Sequence, residues 1–317
     1  MADLGTRVKH ALNEARMLVL GASVLLGFHY RGAFEPGFDR LSSVTQGLKL
    51  GGHACMLITI ALLMAPAAFH QIVERGDDSP RLHRVATLVC SLALLPFAVA
   101  VGIDLFVAGE SVLDRFGATV FGVGAFGLAL ASWYGVEMWA RWRRGRRGRA
   151  GMERSSEADR TPLQERVEHV LTEARMVLPG AQALLGFQLA VMLTDTFEHL
   201  PQSSGLIHVV ALAFIALTTI LLMTPAAWHR LVEEGEDTER FHRIASVLVL
   251  AAMGALAIGL ALDFFVVVRR VTTSTRLAVA AASVSLLTFY GLWFGLTAWA
   301  RLGKRRRRVS RVSPRAA

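Results

Sequence analysis

Histidine and glutamate recur four positions apart in this sequence, a spacing that places both side chains on one face of a helix. His10 precedes Glu14, and His70 precedes Glu74, in this way. Because histidine changes its charge near neutral pH, such a pair can bind and release protons. Imidazole nitrogen and carboxylate oxygen are also the donors that Zn, Fe and Mn use. The spacing therefore allows both proton handling and metal binding.

Both pairs occur twice, because the sequence matches itself at an offset of 159 residues. Residues 7–30 and 166–189 are identical at 14 of 24 positions, and residues 62–86 and 221–245 at 15 of 25. Charged and imidazole residues that recur at this offset form the candidate proton or ion site: Glu14, Arg16, His70, His83 and Asp104, with Glu173, Arg175, His229, His242 and Asp263. The candidate metal ligands overlap with this set: His10, Glu14, His70, Glu74, His83, His169, Glu173, His229, Glu233 and His242.

A structural role is a third interpretation of these residues, which are predicted at helix ends. Glu14 would then form an ion pair with Arg84 on another helix, while Arg16 would reach the headgroup region or pair with Glu74. In the proton-handling interpretation, Arg16 and Arg175 are counter-charges of a protonatable site. The sequence leaves these alternatives open.

Asp104 is predicted at the opposite end of its helix, about 30 Å from the helix start at 1.5 Å per residue. It is either a solvated carboxylate at a loop or the external mouth of a cation or proton path. Haem binding would require histidines on facing helices. His53 lies inside an apolar stretch, but its counterpart in the second copy is Leu212. No cofactor is predicted, and metal or haem binding remains an alternative.

Long apolar stretches must position these residues. The chain of 317 residues is 53% hydrophobic and 19% charged, whereas soluble domains carry about 25% charged residues. A bilayer core requires about 20 helical residues, and lipid offers the backbone no hydrogen-bond partner. The predicted spans are residues 12–30, 48–70, 85–108, 117–140, 171–193, 206–229, 244–268 and 277–300.

The sequence therefore predicts an all-α integral membrane protein with eight transmembrane helices in two parallel four-helix repeats. The repeats are predicted to be parallel because each contains an even number of spans. The predicted domains are a first four-helix repeat at residues 1–140, a basic linker at 141–164, a second repeat at 165–302 and a basic tail at 303–317.

The positive charge is concentrated in two short segments. The net charge is +9, and residues 141–149 contain six arginines while residues 301–315 contain eight basic residues. Lysine and arginine collect on the cytoplasmic side of membranes, so both termini and the linker are predicted to be cytoplasmic. The lipid bilayer and anionic headgroups are the predicted partners. No nucleic acid is predicted because the basic runs adjoin membrane spans, whereas a homo-oligomer or a larger membrane complex remains open.

Several short strings resemble those of one protein family. They are Leu-Pro-Gly-Ala-Gln at 178–182, Glu-Ala-Arg at 14–16 and 173–175, Pro-Ala-Ala-Phe-His at 66–70 and Pro-Ala-Ala-Trp-His at 225–229. The chain thereby resembles a tandem duplication within an uncharacterised bacterial family of four-helix integral membrane proteins, a domain of unknown function. The first copy departs from this pattern, with Leu20 and Ser23 in place of Pro179 and Gln182. The resemblance implies the four-helix unit and a bacterial cytoplasmic membrane, and it implies no reaction.

The predicted function is a non-enzymatic, proton- or cation-linked module similar to a transporter. One alternative is a metal- or haem-binding redox or sensor protein that uses the same residues. Another is a scaffold or accessory membrane subunit, since the spans contain few polar residues.

Overall fold

Eight long helices form the described part of the chain. The structure is a computed structural model that describes residues 4–75, 77, 79–110, 113–135, 162–231, 233 and 236–303, with the side chains of the first helix described from residue 18 on. The helices are α1 (Leu4–Gly32), α2 (Ser43–Phe69), α3 (Pro80–Glu110), α4 (Arg115–Leu130), α5 (Leu163–Val191), α6 (Gln202–Leu231), α7 (Glu239–Thr272) and α8 (Thr275–Tyr290). These ranges contain no strand.

Three helices continue into a π turn, and two short helices occur in the connections. The π turns are His70–Glu74 after α2, Ala131–Gly135 after α4 and Gly291–Gly295 after α8. A 3₁₀ turn, Phe38–Arg40, precedes α2, and a one-turn helix, Asp195–Glu198, precedes α6. Because π turns in α-helices are frequent at functional sites, the turn after α2 is of special interest.

Hydroxyl and carboxylate side chains mark where the helices begin. Ser42 accepts a hydrogen bond from the backbone N–H of Thr45 at the start of α2, and Asp114 accepts one from Gly117 at the start of α4. Thr238 caps α7 in the same way. Each cap satisfies an N–H group that has no partner within its helix.

The apolar helices make this a multi-pass membrane protein. Seven described segments are long and apolar enough to cross a membrane: Ser43–Glu74, Pro80–Glu110, Arg115–Tyr134, Leu163–Val191, Gln202–Ala226, Glu239–Thr272 and Thr275–Gly303. Large apolar side chains such as Phe116, Leu128 and Leu287 are exposed on their surface, whereas a water-soluble protein keeps exposed apolar patches small. Seven of the eight predicted spans are thus present as such, and α1 is not among them.

The two sequence repeats contact each other through α1 and α5. The rings of Phe28 and Phe187, which correspond at the 159-residue offset, have centroids 4.7 Å apart. A Cβ atom on Gly27 would lie 2.0 Å from the ring of Phe187, and one on Gly180 would lie 2.6 Å from Oγ of Ser23. Glycine therefore permits the close approach, and the contacts follow the same order along both helices.

The bundle has two ends, which we name after buried carboxylates. The Glu173 end is where α1 and α5 begin and where α2 and α6 finish. The Asp263 end is the opposite one, where α1 and α5 finish and α2 and α6 begin.

Candidate functional site

Glu173 of α5 is held by two residues of the first repeat. Nδ1 of His70 lies 2.5 Å from Oε1 of Glu173, and Nε2 of Gln71 donates a hydrogen bond to Oε2. Glu173 and His70 are both fully buried. Both carboxylate oxygens therefore have a hydrogen-bond partner that comes from the other repeat.

The π turn after α2 brings His70 and Gln71 to this carboxylate. Pro66, within α2, has no backbone N–H to donate, and the chain passes from α2 into the wider turn four residues later. In a regular helix, the side chains of adjacent residues point in directions that differ by about 100° around the helix axis. In the π turn, the two adjacent side chains of His70 and Gln71 reach the same carboxylate.

Further buried polar groups surround this pair. His169 lies one helical turn before Glu173, and its ring centroid is 5.5 Å from that of His70. His169 and Glu74 are also buried. We call the group of His70, Gln71, His169 and Glu173 the Glu173 cluster. It contains two imidazoles and one carboxylate at one end of two membrane-spanning helices.

Arg166, two helical turns before Glu173 on α5, contacts the start of α7. Its guanidinium donates to Oε1 of Glu239 at 2.9 Å and to the backbone carbonyl of Arg75 at 3.3 Å, and it lies 3.8 Å from Asp77. It also lies 3.4 Å from Nδ1 of His242. Because arginine only donates hydrogen bonds, Nδ1 of His242 is the acceptor. Arg166 thus links α5 to the start of α7 and to the segment that follows the π turn after α2.

Two other histidines predicted for this site, His83 and His229, are not part of the Glu173 cluster. His83 is half-buried, and in the described part of the chain no hydrogen bond or ion pair joins it to the cluster. Nε2 of His229 lies 3.3 Å from Asp237. The expected grouping of imidazoles and carboxylates within each half is therefore wrong for Glu173, because its imidazole partner comes from the other half.

Several other predicted residues have separate positions. Glu233 accepts hydrogen bonds from Trp228 and Thr238, so it stabilises the connection before α7. Arg175 is exposed, and no ion pair joins it to an acidic residue within the described ranges. The side chains of three predicted residues lie outside the described part of the chain: His10, Glu14 and Arg16.

Asp104 lies at the opposite end of the bundle, in contact with two basic residues. Nζ of Lys49 is 2.8 Å from Oδ1 of Asp104, and Nε2 of His29 is 2.8 Å from Oδ2. The aspartate side chain is 27% exposed. These three residues, the Asp104 cluster, join α1, α2 and α3 of the first repeat.

Asp263 lies in a closed environment instead. Nε2 of Gln188 donates a hydrogen bond of 2.5 Å to Oδ2 of Asp263, and Nδ1 of His208 lies 3.8 Å from Oδ1. The hydroxyl of Tyr30, from the first repeat, is 2.6 Å from Nδ1 of His208. Asp263 is buried, so a solvated position at a loop does not describe it. We call these four residues the Asp263 cluster.

The two aspartate clusters occupy equivalent positions of the repeat. At the 159-residue offset, His29 corresponds to Gln188 and Lys49 to His208, as Asp104 does to Asp263. The sequence interpretation missed Lys49 and His208, although a basic residue at the same position of both copies was a visible signal. It also missed Tyr30, for which the second copy has Leu189 and no recurring signal exists.

Apolar side chains separate the two ends. Glu173 and Gln188 are 15 residues apart on α5, which corresponds to about 22 Å. The buried side chains between them include Met176, Val177 and Leu184. In the described ranges, no three His, Cys, Asp or Glu residues come together in a group that could hold a metal ion. The ionisable clusters therefore lie in two separate places, one at each end of the bundle.

A protein-family model identifies both halves of the chain. The model described as Family of unknown function (DUF6328) matches residues 4–137 and matches again at residues 156–297. The chain belongs to this family. It contains two DUF6328 copies in tandem, which confirms the predicted duplication and the predicted kind of family. No curated protein and no solved structure matches the chain.

The contacts at the Glu173 end join the two DUF6328 copies. The first copy supplies His70 and Gln71, and the second supplies Glu173. At the Asp263 end the first copy supplies Tyr30 to the cluster of the second. The Glu173 cluster and the Asp263 cluster, whose carboxylates are buried, therefore each contain residues of both copies.

Proposed function

We propose that this protein is a proton-linked, transporter-like module of the bacterial cytoplasmic membrane. The observation that carries the proposal is the burial of Glu173 on a membrane-spanning helix, with its carboxylate held by His70 and Gln71 of the other repeat. Ionisable residues within spans are costly, and they commonly mark proton relays and substrate pathways in pumps and transporters.

Protonation of Glu173 would change the contact between the repeats. The ionised carboxylate accepts a hydrogen bond at each oxygen, from His70 and from Gln71. A protonated carboxyl group is neutral and turns one oxygen into an O–H donor, so the hydrogen bonds with His70 and Gln71 no longer involve a charged acceptor and are about half as strong. Proton binding thereby weakens a buried contact between the halves. This provides a way to couple proton binding to a relative movement of the two halves.

The apolar middle of the bundle favours a carrier over a channel. About 22 Å of helix separates Glu173 from Gln188, and the buried side chains between them are predominantly apolar. The buried polar groups described there are separate hydroxyls such as Ser23, Thr59 and Thr218, and they do not support a fixed proton wire. We therefore propose that the two ends are exposed to solvent alternately, as in carriers built from repeats.

We further propose that α1 is the eighth span and that the repeats insert in parallel. Residues 7–30 of α1 share 14 of 24 positions with the matching part of α5, and α5 is a candidate span. The α1 contacts of Ser23 and Gly27 follow the order of Gly180 and Phe187 on α5, as parallel helices require. The positions of arginine and lysine support a cytoplasmic location of the termini and of the Glu173 end.

Proton-driven charge movement in proteoliposomes tests this function without a known substrate. Liposomes carrying the full chain are adsorbed to a solid-supported membrane, and the current after a pH jump is recorded. We expect a transient current for the natural protein, loss of most of it in Glu173→Gln, and retention in Glu198→Gln, an exposed glutamate at the opposite end. Natural protein that behaves like empty liposomes, or Glu173→Gln that behaves like natural protein, would overturn the proposal.

An accessory subunit without transport is the second candidate, favoured by the apolar side chains between the two ends. It predicts no current for any variant. Loss of thermal stability in Glu173→Gln would then be the effect that remains.

A further inference from the structure

We propose that Asp263 is the carboxylate that takes up and releases a proton at its end of the bundle, with His208 as the exchange partner. This inference rests on the proposed proton linkage, and it names the group that carries the proton there. The equivalent Asp104 is the counterpart that does not exchange, because a lysine accompanies it.

The two oxygens of Asp104 and Asp263 differ in their partners. At Asp104, Lys49 lies 2.8 Å from one oxygen and His29 lies 2.8 Å from the other. At Asp263, Gln188 donates to Oδ2, whereas Oδ1 is buried without a hydrogen-bond partner among the described residues. A buried carboxylate oxygen without a partner is unfavourable. Adding a proton to Oδ1 removes the charge and supplies a hydrogen-bond donor.

His208 is placed to exchange this proton. Its Nε2 lies 3.2 Å from the backbone carbonyl of Gln188, which can only accept, so Nε2 carries a hydrogen. Its Nδ1 lies 3.8 Å from Oδ1 of Asp263. In the exchange, the Nδ1–H bond of a protonated His208 breaks and an O–H bond forms at Oδ1, which leaves a neutral imidazole and a neutral carboxyl group. For this step Nδ1 must leave the Tyr30 hydroxyl, which lies 2.6 Å away, and come within hydrogen-bond distance of Oδ1, from which it is 3.8 Å away.

The other groups that face Asp263 are also compatible with a proton site. Tyr30 from α1 contacts His208, Gln188 from α5 directs an N–H group at the carboxylate, and His53 from α2 stacks on the adjacent Phe264 with centroids 5.3 Å apart. Metal cations such as Ca²⁺ and Mg²⁺ require several oxygen ligands. The direct hydrogen-bond partner of the carboxylate is an N–H donor, which is not a ligand for such a cation.

A one-turn helix lies between this cluster and a cavity. The cavity, about 640 Å³ in volume, is lined by residues that include Asp195, His199 and Arg269. Phe197 belongs to the same one-turn helix as Asp195 and packs edge-on against His208, with centroids 5.0 Å apart. The ring of Phe197 therefore lies between the cavity-lining helix and the exchange partner.

Infrared titration of the purified full-length protein tests the assignment. The C=O stretching band of a protonated carboxyl group is followed while the pH is changed. We expect a band that titrates in Glu173→Gln, which lacks the other proposed proton-binding carboxylate, is lost when Asp263→Asn is added and is retained when Asp104→Asn, its match in the other repeat, is added instead. Retention of the band after Asp263→Asn is added, or its loss after Asp104→Asn is added, would overturn the assignment.

Exchanging the basic residues between the repeats provides a second test that leaves both aspartates in place. In the same Glu173→Gln background, we expect His208→Lys to lose the titrating band, because an ammonium group then accompanies Asp263. We expect Lys49→His to gain a second band, from Asp104. The proposal would be contradicted if His208→Lys kept the band and Lys49→His gained none, while circular dichroism showed the natural helix content in both variants.

The two proposals fail separately. A titrating band that depends on Asp263 in a protein without pH-jump current would uphold this site and remove the transport function. A current that depends on Glu173 in a protein without such a band would leave the transport function in place and remove this site.

Discussion

His70 and Glu173 are 103 positions apart in the chain, and they share a buried hydrogen bond of 2.5 Å between two copies of one repeat. The imidazole of the first copy and the carboxylate of the second are both fully shielded from the surroundings. A buried pair of this kind stabilises the protein only while both partners are present, because removing one leaves the other buried without its partner. The contact between the halves therefore depends on the state of both side chains.

Removing the imidazole should destabilise the protein strongly. His70→Ala leaves the buried carboxylate of Glu173 with Gln71 as its described partner, and loss of one member of a buried pair costs about 3 kcal/mol or more. We expect the free energy of unfolding in detergent micelles to fall by about that amount, as measured by denaturant titration with circular dichroism. In a double-mutant cycle with Glu173→Gln, the two changes should couple by about 1–3 kcal/mol.

The matched control for this prediction is Arg175→Ala. Arg175 lies two residues beyond Glu173 on α5 and is exposed, so its loss should change the free energy by less than about 0.5 kcal/mol. If His70→Ala were no less stable than Arg175→Ala, the pair would not join the halves.

The α1–α5 contact should not tolerate a methyl group at Gly27. A Cβ there would lie 2.0 Å from Cδ2 and 2.8 Å from Cγ of Phe187, so the whole ring must move. Overpacking of this kind costs about 1–3 kcal/mol, and we expect Gly27→Ala to lower the midpoint of thermal unfolding. Adding Phe187→Ala to Gly27→Ala should remove most of the penalty from the clash.

Gly21→Ala is the control on the same helix, because nothing lies within 4 Å of a Cβ at Gly21. Alanine favours a helix over glycine by roughly 0.5–1 kcal/mol, so this variant should be as stable as the natural protein or more so. Equal stability of the two glycine variants would show that α1 and α5 do not pack this closely.

The indole N–H of Trp293 should contribute to the contact between the repeats. Trp293 lies in the π turn after α8, is fully buried, and donates a hydrogen bond of 2.7 Å to the backbone carbonyl of Ala61 on α2. Trp293→Phe keeps an aromatic ring and removes the donor, so the free energy of unfolding should fall by about 1 kcal/mol or more. Trp299→Phe, at a site that is 76% exposed, should have a much smaller effect under the same denaturant titration.

The helices and the duplication could be predicted because both depend on local sequence. The predicted span 244–268 lies within the helix Glu239–Thr272, and 48–70 lies within Ser43–Glu74. The helices are longer than the apolar stretches because polar residues continue them beyond the hydrocarbon region, up to caps such as Ser42 and Thr238. The offset of 159 residues also indicated which positions of the two copies correspond.

Helical periodicity shows which residues share a face, but it does not show which helix that face meets. The pairing of His70 with Glu173 follows from the packing of the first repeat against the second, and the sequence alone favoured partners within one half. The π turn after α2 added to this uncertainty, because it changes the direction of His70 and Gln71 relative to a regular helix.

The sequence by itself determined that the chain consists of apolar helices in two related copies, because hydrophobic length and internal identity are properties of neighbouring residues. The tertiary structure decided that Lys49 accompanies Asp104, while His208, Gln188 and Tyr30 enclose Asp263. The two aspartates, at equivalent positions of the repeat, therefore have different surroundings. The physical reason is that the partners of a buried charge are set by which helices pack around it, and that packing depends on contacts between residues far apart in the chain.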